Sequence, residues 1–142
     1  MFDWRWDFTI EILPRLLQAT LNTLAAAGVG YGIAVVLGLV FALAQRTRSR
    51  IVTMVVRECV EFIRSTPLVL QIFFVFFVGP QFGIRLSPWV AGMIAIGLHY
   101  SAYLSEVYRG GLDSVPKGQG EACTALNRST TKTYCRVIIA QA

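Results

Sequence analysis

The chain has 142 residues, of which 55% are hydrophobic and 15% charged, with a formal net charge of +5, and its mean hydropathy is +0.58. Ordinary soluble domains carry about 25% charged residues, so the composition excludes that class. The residues outside the apolar runs are too few for a separate soluble domain. We interpret the positive charge as a determinant of orientation in the membrane, and we predict no nucleic-acid partner.

Three runs without a charged side chain cover residues 16–45, 65–84 and 86–105. A helix needs about 20 mainly apolar residues to cross the ~30 Å hydrocarbon core, where its backbone must satisfy its own hydrogen bonds. The sequence therefore predicts an all-α, polytopic membrane protein with three transmembrane spans within residues 16–109. In the first span, Gly28 and Gly32 have the G-x-x-x-G spacing that allows another helix to approach closely, although glycine is common in membrane helices anyway.

The basic residues are distributed unequally around these runs. Ten of the 13 lysines and arginines lie between the first and second runs or after the third, and the other three are Arg5, Arg15 and Arg85. The positive-inside rule then places the N-terminus outside and both basic segments in the cytoplasm, in contact with membrane lipid. Residues 1–15 are expected to form an external interfacial segment, with Trp4 and Trp6 in the headgroup layer.

A proline marks the start of the second run. Pro67 has no backbone N–H and disfavours helical angles at Thr66, so residues 65–67 should break or kink the helix where it meets the membrane. The backbone groups freed by such a break can line a solute path. A fresh helix start, with Ser65 or Thr66 as its cap, is an equally good interpretation.

The third run contains the one ionisable side chain within the three runs, His99, next to Tyr100 and Tyr103. Ionisable residues inside a span are functional candidates because burying them is costly. A neutral histidine that bonds to a neighbouring helix is the alternative. Just beyond the run, Glu106 and Arg109 have the spacing of a local ion pair.

Residues 110–142 are predicted to form a cytoplasmic helix-turn-helix. Gly110 and Gly111 should end the third span, and Asp113 and Ser114 should cap a short helix. Asn127 tolerates the left-handed conformation that ends such a helix. A second helix is expected to follow, with a basic stripe formed by Arg128, Lys132 and Arg136.

This segment resembles a known family. Residues 121–123 (EAC), Asn127 and residues 137–140 (VIIA) are similar, at the same spacing, to the E-A-A-x3-G-x9-I-x-L-P motif of bacterial binding-protein-dependent ABC importer permeases. Residues 64–73, 102–111 and 114–119 resemble the polar amino-acid branch of that family, so that the resemblance covers about residues 16–142. Within the branch, residues 99–103 and 125–127 are similar to permeases for ectoine and hydroxyectoine.

The chain departs from the family pattern at several positions. Cys123 replaces alanine, Asn127 glycine, Gly120 tryptophan and Ala140 proline, and the last two changes are expected to loosen the coupling segment. The sequence ends at Ala142, whereas family members continue into two more membrane helices. We therefore expect an incomplete permease domain, truncated at its C-terminus.

The resemblance implies a permease subunit of the bacterial inner membrane, in an ATP-driven importer for polar amino acids or related zwitterions such as ectoine. Its implied partners are ABC ATPase subunits, a second permease subunit and an external solute-binding protein. The expected ATPase-coupling residues are Gly118, Gln119, Glu121, Ala122, Cys123, Leu126 and Asn127. The expected substrate-path residues are Ser65, Thr66, Gln71, His99, Tyr100 and Tyr103.

No catalytic or cofactor site is predicted in this chain. The sequence has no G-x-x-x-x-G-K-[ST] loop, so the partner ATPase is expected to use the ATP and Mg. Cys59, Cys123 and Cys135 are odd in number and lack metal-ligand spacing, which favours reduced thiols and no metal site. The sequence contains neither a catalytic triad nor paired carboxylates, which argues against an intramembrane enzyme. The alternative function is a small non-transporting membrane scaffold or an inactive permease fragment.

Overall fold

A computed structural model describes residues 5–127 and 139–141, and these residues contain helices and turns but no strand. The predicted all-α class is therefore confirmed for this part of the chain. The elements in chain order are α1 (Trp6–Ala44), α2 (Arg50–Ser65), α3 (Leu68–Phe73), a π-helical turn (Phe74–Val78), a 3-10 turn (Gly79–Phe82), α4 (Pro88–Ser114), α5 (Lys117–Ala125) and α6 (Ile139–Gln141).

Helix α1 begins ten residues before the predicted first span and has 39 residues. At 1.5 Å per residue it is ~58 Å long, well beyond the ~30 Å hydrocarbon core. The helix extends toward the N-terminus beyond the apolar run. Asp7 lies in its first turn, where a negative charge is favourable. Residues 6–15, predicted as an interfacial segment, are thus helical and continuous with α1, and their position relative to a membrane stays a prediction.

Helices α1 and α4 pack on each other through small residues. The buried residues of α1 recur every fourth position, at Gly30, Ala34, Gly38 and Ala42. The buried residues of α4 are Ala91, Ala95, Gly97, Ser101, Ala102 and Ser105. The two serine hydroxyls donate to carbonyls of their own helix, at 2.6 and 2.7 Å. The small residues let the side chains of Ile33 and Ile96 pack directly against the opposite backbone, and such packing contacts can stabilise the pair even in lipid.

The glycines in this contact are not the predicted pair. A Cβ added at Gly28 or Gly32 would meet nothing within 4 Å, whereas one added at Gly30 would lie 2.6 Å from Ile96 Cγ2. A Cβ at Gly97 would likewise lie 2.6 Å from Ile33 Cβ. Because positions two apart are about 200° apart on a helix, Gly30 faces away from the predicted pair. The interpretation of Gly28 and Gly32 as the contact face is wrong for α1 and α4.

The predicted break before the second span is confirmed. Helix α2 ends at Ser65, and Thr66 is extended, with φ −95° and ψ 130°. The following segment, Leu68–Phe82, is bent by 106° from α2. The alternative role of Ser65 or Thr66 as an N-cap is wrong, because both hydroxyls donate backwards to carbonyls of α2, at Glu61 and Phe62.

The described helices differ in their fitness to cross a membrane. Helix α1 is long and apolar enough by itself, and α2 with Leu68–Phe82 meets the same requirement only as one bent pair. Helix α4 does not meet the same requirement of length and hydropathy. It contains the polar side chains His99, Tyr100 and Tyr103. The number of spans, three in the sequence analysis, stays a prediction.

Helix α4 does not end at Gly110 and Gly111, as predicted, but continues to Ser114. A glycine costs a helix roughly 1 kcal/mol relative to alanine, and contacts of the last turn oppose this cost. The Asp113 carboxylate accepts from Arg46 at 2.7 Å and from Arg109 at 3.4 Å. Asp113 therefore belongs to the last turn of α4 and does not cap α5.

Helix α5 follows after two residues, and Asn127 beyond it has φ 50°. Its left-handed conformation is the one predicted for the end of this helix. The second helix of the predicted helix-turn-helix, with its basic stripe at Arg128, Lys132 and Arg136, lies outside the described residues. Cys135 also lies outside them, as do residues 1–4 with Trp4.

The α1–α4 contact predicts opposite effects for two equivalent substitutions. In Gly38→Ala the new Cβ would lie 2.9 Å from Leu104 Cβ and 3.0 Å from the Ser101 carbonyl oxygen, and such overpacking typically costs about 1–3 kcal/mol. Gly32→Ala enters open space and should be neutral or stabilising, by up to ~1 kcal/mol. The melting temperatures of the two purified variants in detergent measure the difference. Equal temperatures would contradict the described packing.

Candidate functional site

Four of the six substrate-path candidates meet at the break between α2 and α3. The Gln71 side-chain amide nitrogen donates to the carbonyl oxygens of Ile63, at 2.8 Å, and Thr66, at 3.1 Å. The Ile63 carbonyl lacks a regular helical partner because position 67 is a proline with no N–H. Gln71 therefore supplies the hydrogen bond that the proline removes, and it closes the end of α2.

Tyr103 connects α4 to the same break. Its hydroxyl donates to the Arg64 carbonyl oxygen at 3.3 Å. The Arg64 guanidinium carbon lies 5.3 Å from the centroid of the Tyr103 ring, within the range of a cation–π contact. One tyrosine thus contacts both the backbone and the side chain of the last turn of α2.

The two remaining path candidates form an aromatic cluster with Tyr103. The His99 ring centroid lies 5.4 Å from that of Tyr100 and 5.1 Å from that of Tyr103. The His99 Nδ1 atom is buried and has no hydrogen-bond partner within the described part of the chain. Gln71 Oε1 is in the same condition. Such buried unpaired polar atoms are costly. Gln71 Oε1 has room to accept a hydrogen bond, and His99 Nδ1 can accept or donate one according to its tautomer.

Four of the six path candidates lie in the walls of two separate cavities. One, of ≈ 270 Å³, contains Thr66 and Gln71 in its wall, among apolar residues of α2, α3 and α4. The other, of ≈ 380 Å³, lies between α1 and α4 and contains Tyr100 and Tyr103 in its wall. The break and the aromatic cluster therefore border two different cavities of the described part of the chain, and Ser65 and His99 are in the wall of neither.

A cluster of charged residues lies where α1, α2 and α4 end. The predicted pair of Glu106 and Arg109 is present, with the guanidinium 2.6 Å from the carboxylate. The ion pair of Arg46 and Asp113 was not predicted, because these residues lie 67 positions apart in the chain and no local spacing relates them. The i,i+4 spacing of Arg109 and Asp113 was the one local signal for this part of the cluster.

Glu106 follows the uncharged run 86–105, and its surroundings favour the ionised form. The hydrogen bond from Arg109 lowers the pKa of the Glu106 carboxyl most, and the charges of Arg109 and Arg64 and the Gln45 amide lower it further, against the effect of burial. The same hydrogen bond raises the pKa of Arg109. The pair is therefore fully charged near neutral pH.

The predicted ATPase-coupling residues lie on α5 and the turn after it. Six of them are exposed: Gly118, Gln119, Glu121, Ala122, Leu126 and Asn127. Cys123 is buried, with 6% of its surface exposed, and Cys59 and Cys123 are free thiols. Residues 5–127 and 139–141 contain no group of three His, Cys, Asp or Glu side chains that could hold a metal ion.

Comparisons with known proteins identify related sequences. Residues 34–142 match the profile of the family described as binding-protein-dependent transport system inner membrane component. The chain is 42% identical to the probable amino-acid ABC transporter permease protein y4tG of Sinorhizobium fredii, over 100% of this chain and 64% of that protein. It is 35% identical to the L-cystine transport system permease protein TcyB of Bacillus subtilis, over 96% of this chain and 59% of that protein.

A solved structure shares the fold of the chain. It is described as the crystal structure of an amino acid ABC transporter with histidines, and it matches with a TM-score of 0.87 and 28% sequence identity. The match covers 99% of this chain and 65% of that one. The chain thus spans about three-fifths of the length of the curated relatives described above.

Gln71 is predicted to be needed for the stability of the break. Gln71→Leu removes the amide donor from both carbonyl oxygens. That of Ile63 keeps the Thr66 N–H at 3.4 Å, and an unsatisfied buried carbonyl such as that of Thr66 costs about 1–3 kcal/mol. The melting temperature of the purified protein should fall clearly. Gln81 is an exposed glutamine, so Gln81→Leu is the matched control and should melt like the wild type. Equal melting of the two variants would show that the Gln71 bonds contribute nothing.

The Glu106–Arg109 pair predicts a pH dependence of stability. Because folding lowers the pKa of Glu106, its contribution is complete above the unfolded value of about 4.3 and is lost as the pH falls through the lower folded value. The melting temperature of the wild type should therefore approach that of Glu106→Gln as the medium is acidified from pH ~6 to ~3. A difference between them that stays constant over this range would exclude the proposed ionisation.

Proposed function

The chain belongs to the family of binding-protein-dependent transport system inner membrane components, and on this basis we propose that it is the permease subunit of an ATP-driven importer for polar amino acids. The observation that carries the proposal is the family match over residues 34–142, which contain both the break at Pro67 and helix α5. The relatives, which are described as permeases, favour this function over a non-transporting scaffold.

The chemistry of ATP hydrolysis is assigned to partner subunits. The family is described as an inner membrane component of a transport system, and the sequence lacks a phosphate-binding loop of the Walker type. ATP and Mg are accordingly bound by ABC ATPase subunits in our proposal. An external binding protein delivers the solute, and a second permease subunit completes the path.

Helix α5 is the proposed docking element for the ATPase. Its exposed residues include Glu121 and Ala122, which begin the motif that resembles the family's coupling sequence. Only Val115 and Pro116 separate α5 from α4. A partner that binds α5 thereby acts on a long helix that packs against both α1 and the break.

The proposed solute path passes the break. Thr66 and Gln71 lie in the otherwise apolar wall of the cavity beside it, and no charged residue of the described part of the chain lines that cavity. A wall without a fixed charge is compatible with a zwitterion. The finer prediction, a solute of the ectoine type, is testable by adding unlabelled ectoine or glutamine as competitors in an uptake assay. Inhibition by glutamine alone would reject the ectoine branch.

The proposed orientation places the N-terminus outside and α5 in the cytoplasm of a multi-pass inner-membrane protein. Single cysteines at Gln81 and Arg48, both exposed positions, should label from opposite faces in a variant without Cys59, Cys123 and Cys135. The reason is the concentration of basic residues around Arg48 and after α4. An impermeant maleimide on intact cells and on inverted vesicles measures the sidedness. Labelling of both positions from one face would contradict this topology.

The docking role of α5 predicts the effect of a charge reversal. Glu121→Lys should abolish solute uptake by the transporter that contains this chain, because a mispaired charge in a docking surface costs several kcal/mol. The protein should remain in the membrane, and less ATPase should copurify with it. Glu58→Lys, which reverses another exposed glutamate, is the matched control and should retain uptake. Normal uptake by the Glu121→Lys transporter would reject the docking role.

A further inference from the structure

Charged residues from the ends of α1, α2 and α4 lie close together, and we define the helix-end network as Arg46, Arg64, Glu106, Arg109 and Asp113. Resting on the proposed function, we infer that this network transmits the movement of α5 to the break at Pro67. Glu106, Arg109 and Asp113 are then positioning residues of the transport cycle, acting through the α2–α3 break without contacting the solute.

The first step leads from α5 to α4 through a short and stiff connection. Helix α4 ends at Ser114, Val115 is extended with φ −71° and ψ 124°, and α5 begins at Lys117. The intervening Pro116 has a fixed φ, and its carbonyl accepts from the Gln119 N–H at 3.0 Å. Because this connection is short and restricted, a rotation of α5 is passed on to the last turn of α4.

The second step lies within the last two turns of α4. Asp113 is held by Arg46 from α1, at 2.7 Å, and by Arg109, at 3.4 Å. Arg109 in turn binds Glu106 at 2.6 Å. Because Arg109 stands between two carboxylates, a displacement of Asp113 changes the geometry of the guanidinium and thereby the position of the Glu106 carboxylate.

The third step leads from Glu106 to the break. Glu106, Arg109 and Arg64 line one polar cavity of ≈ 360 Å³. Arg64 belongs to the last turn of α2, and its carbonyl and guanidinium both contact Tyr103. Its Nε atom is buried and lacks a hydrogen-bond partner in the described part of the chain. A second arrangement, in which Glu106 approaches Arg64, is therefore open to the network, and it would move the residue three positions before Pro67.

In the alternative, the network has a purely structural role: it stabilises the helices but does not link ATP hydrolysis to transport. The distinguishing quantity is the number of ATP molecules hydrolysed per solute transported, measured in proteoliposomes with the transporter assembled around this chain, its ATPase subunits and its binding protein. In Asp113→Asn we expect transport to fall about tenfold, within the usual range of coupling between sites, while basal ATP hydrolysis stays within about twofold of the wild type. The ratio of ATP to solute should rise accordingly.

A double-mutant cycle tests whether the network acts as a unit. Arg46→Gln alone should lose no more coupling than Asp113→Asn, which also breaks the pair with Arg109. The double variant should lose as much as Asp113→Asn, because that change already removes the Arg46–Asp113 ion pair. Asp113→Glu, which keeps the charge, should restore most of the coupling. Glu58→Gln, on an exposed side chain of α2, is the control and should leave the ratio unchanged. An unchanged ratio in Asp113→Asn, or losses that add in the double variant, would overturn the inference while leaving the importer function intact.

A second measurement does not depend on transport. Spin labels at Phe62 and Val69, which are 72% and 62% exposed on either side of the break, report its angle in the assembled complex without native cysteines. Addition of ATP should change the distance between the labels in the wild-type background and leave it unchanged in Asp113→Asn. The same ATP-dependent change in both backgrounds, or none in the wild type, would overturn the inference. Failure of uptake with an intact distance change would instead reject the proposed function.

Discussion

The close contact of α1 with α4 determines where the other described elements lie. Gly30, Gly38 and Gly97 let the opposite helix approach closely, and an added Cβ at any of them would come within 3 Å of an atom of that helix. Because lipid offers no hydrophobic advantage to helix association, such packing is a main source of stability in a membrane. The same contact brings the ends of the two helices together, so that Arg46 reaches Asp113 at 2.7 Å.

The break between α2 and α3 is a defined structure whose hydrogen bonds are provided from within the chain. Pro67 lacks a backbone donor, the Gln71 side-chain amide donates in its place, and Tyr103 of α4 binds the last turn of α2. Polar backbone at membrane depth is tolerated only where protein or a cavity satisfies it. The break therefore has a fixed geometry in which carbonyl groups of the last turn of α2 are satisfied from within the chain, and it adjoins the helix-end network at Arg64.

Features that depend on local sequence could be predicted, and features that depend on distant residues could not. The break followed from the chemistry of Pro67, and the left-handed Asn127 followed from its side chain. By contrast, local glycine spacing selected Gly28 and Gly32, because only the position of α4 shows which face of α1 is covered. The extension of α4 through Gly110 and Gly111 depends in part on Arg46, 67 positions away from Asp113. The division of four path candidates between two cavities depends on the packing of three helices.

Solute uptake tests the central claim most directly. We would reconstitute the transporter that contains this chain, with its ATPase subunits and external binding protein, and follow a labelled polar amino acid in proteoliposomes. We predict accumulation against a gradient that requires both ATP and the binding protein, and that is lost in Glu121→Lys. ATP hydrolysis by the intact complex without accumulation of any polar amino acid or related zwitterion would contradict the importer function.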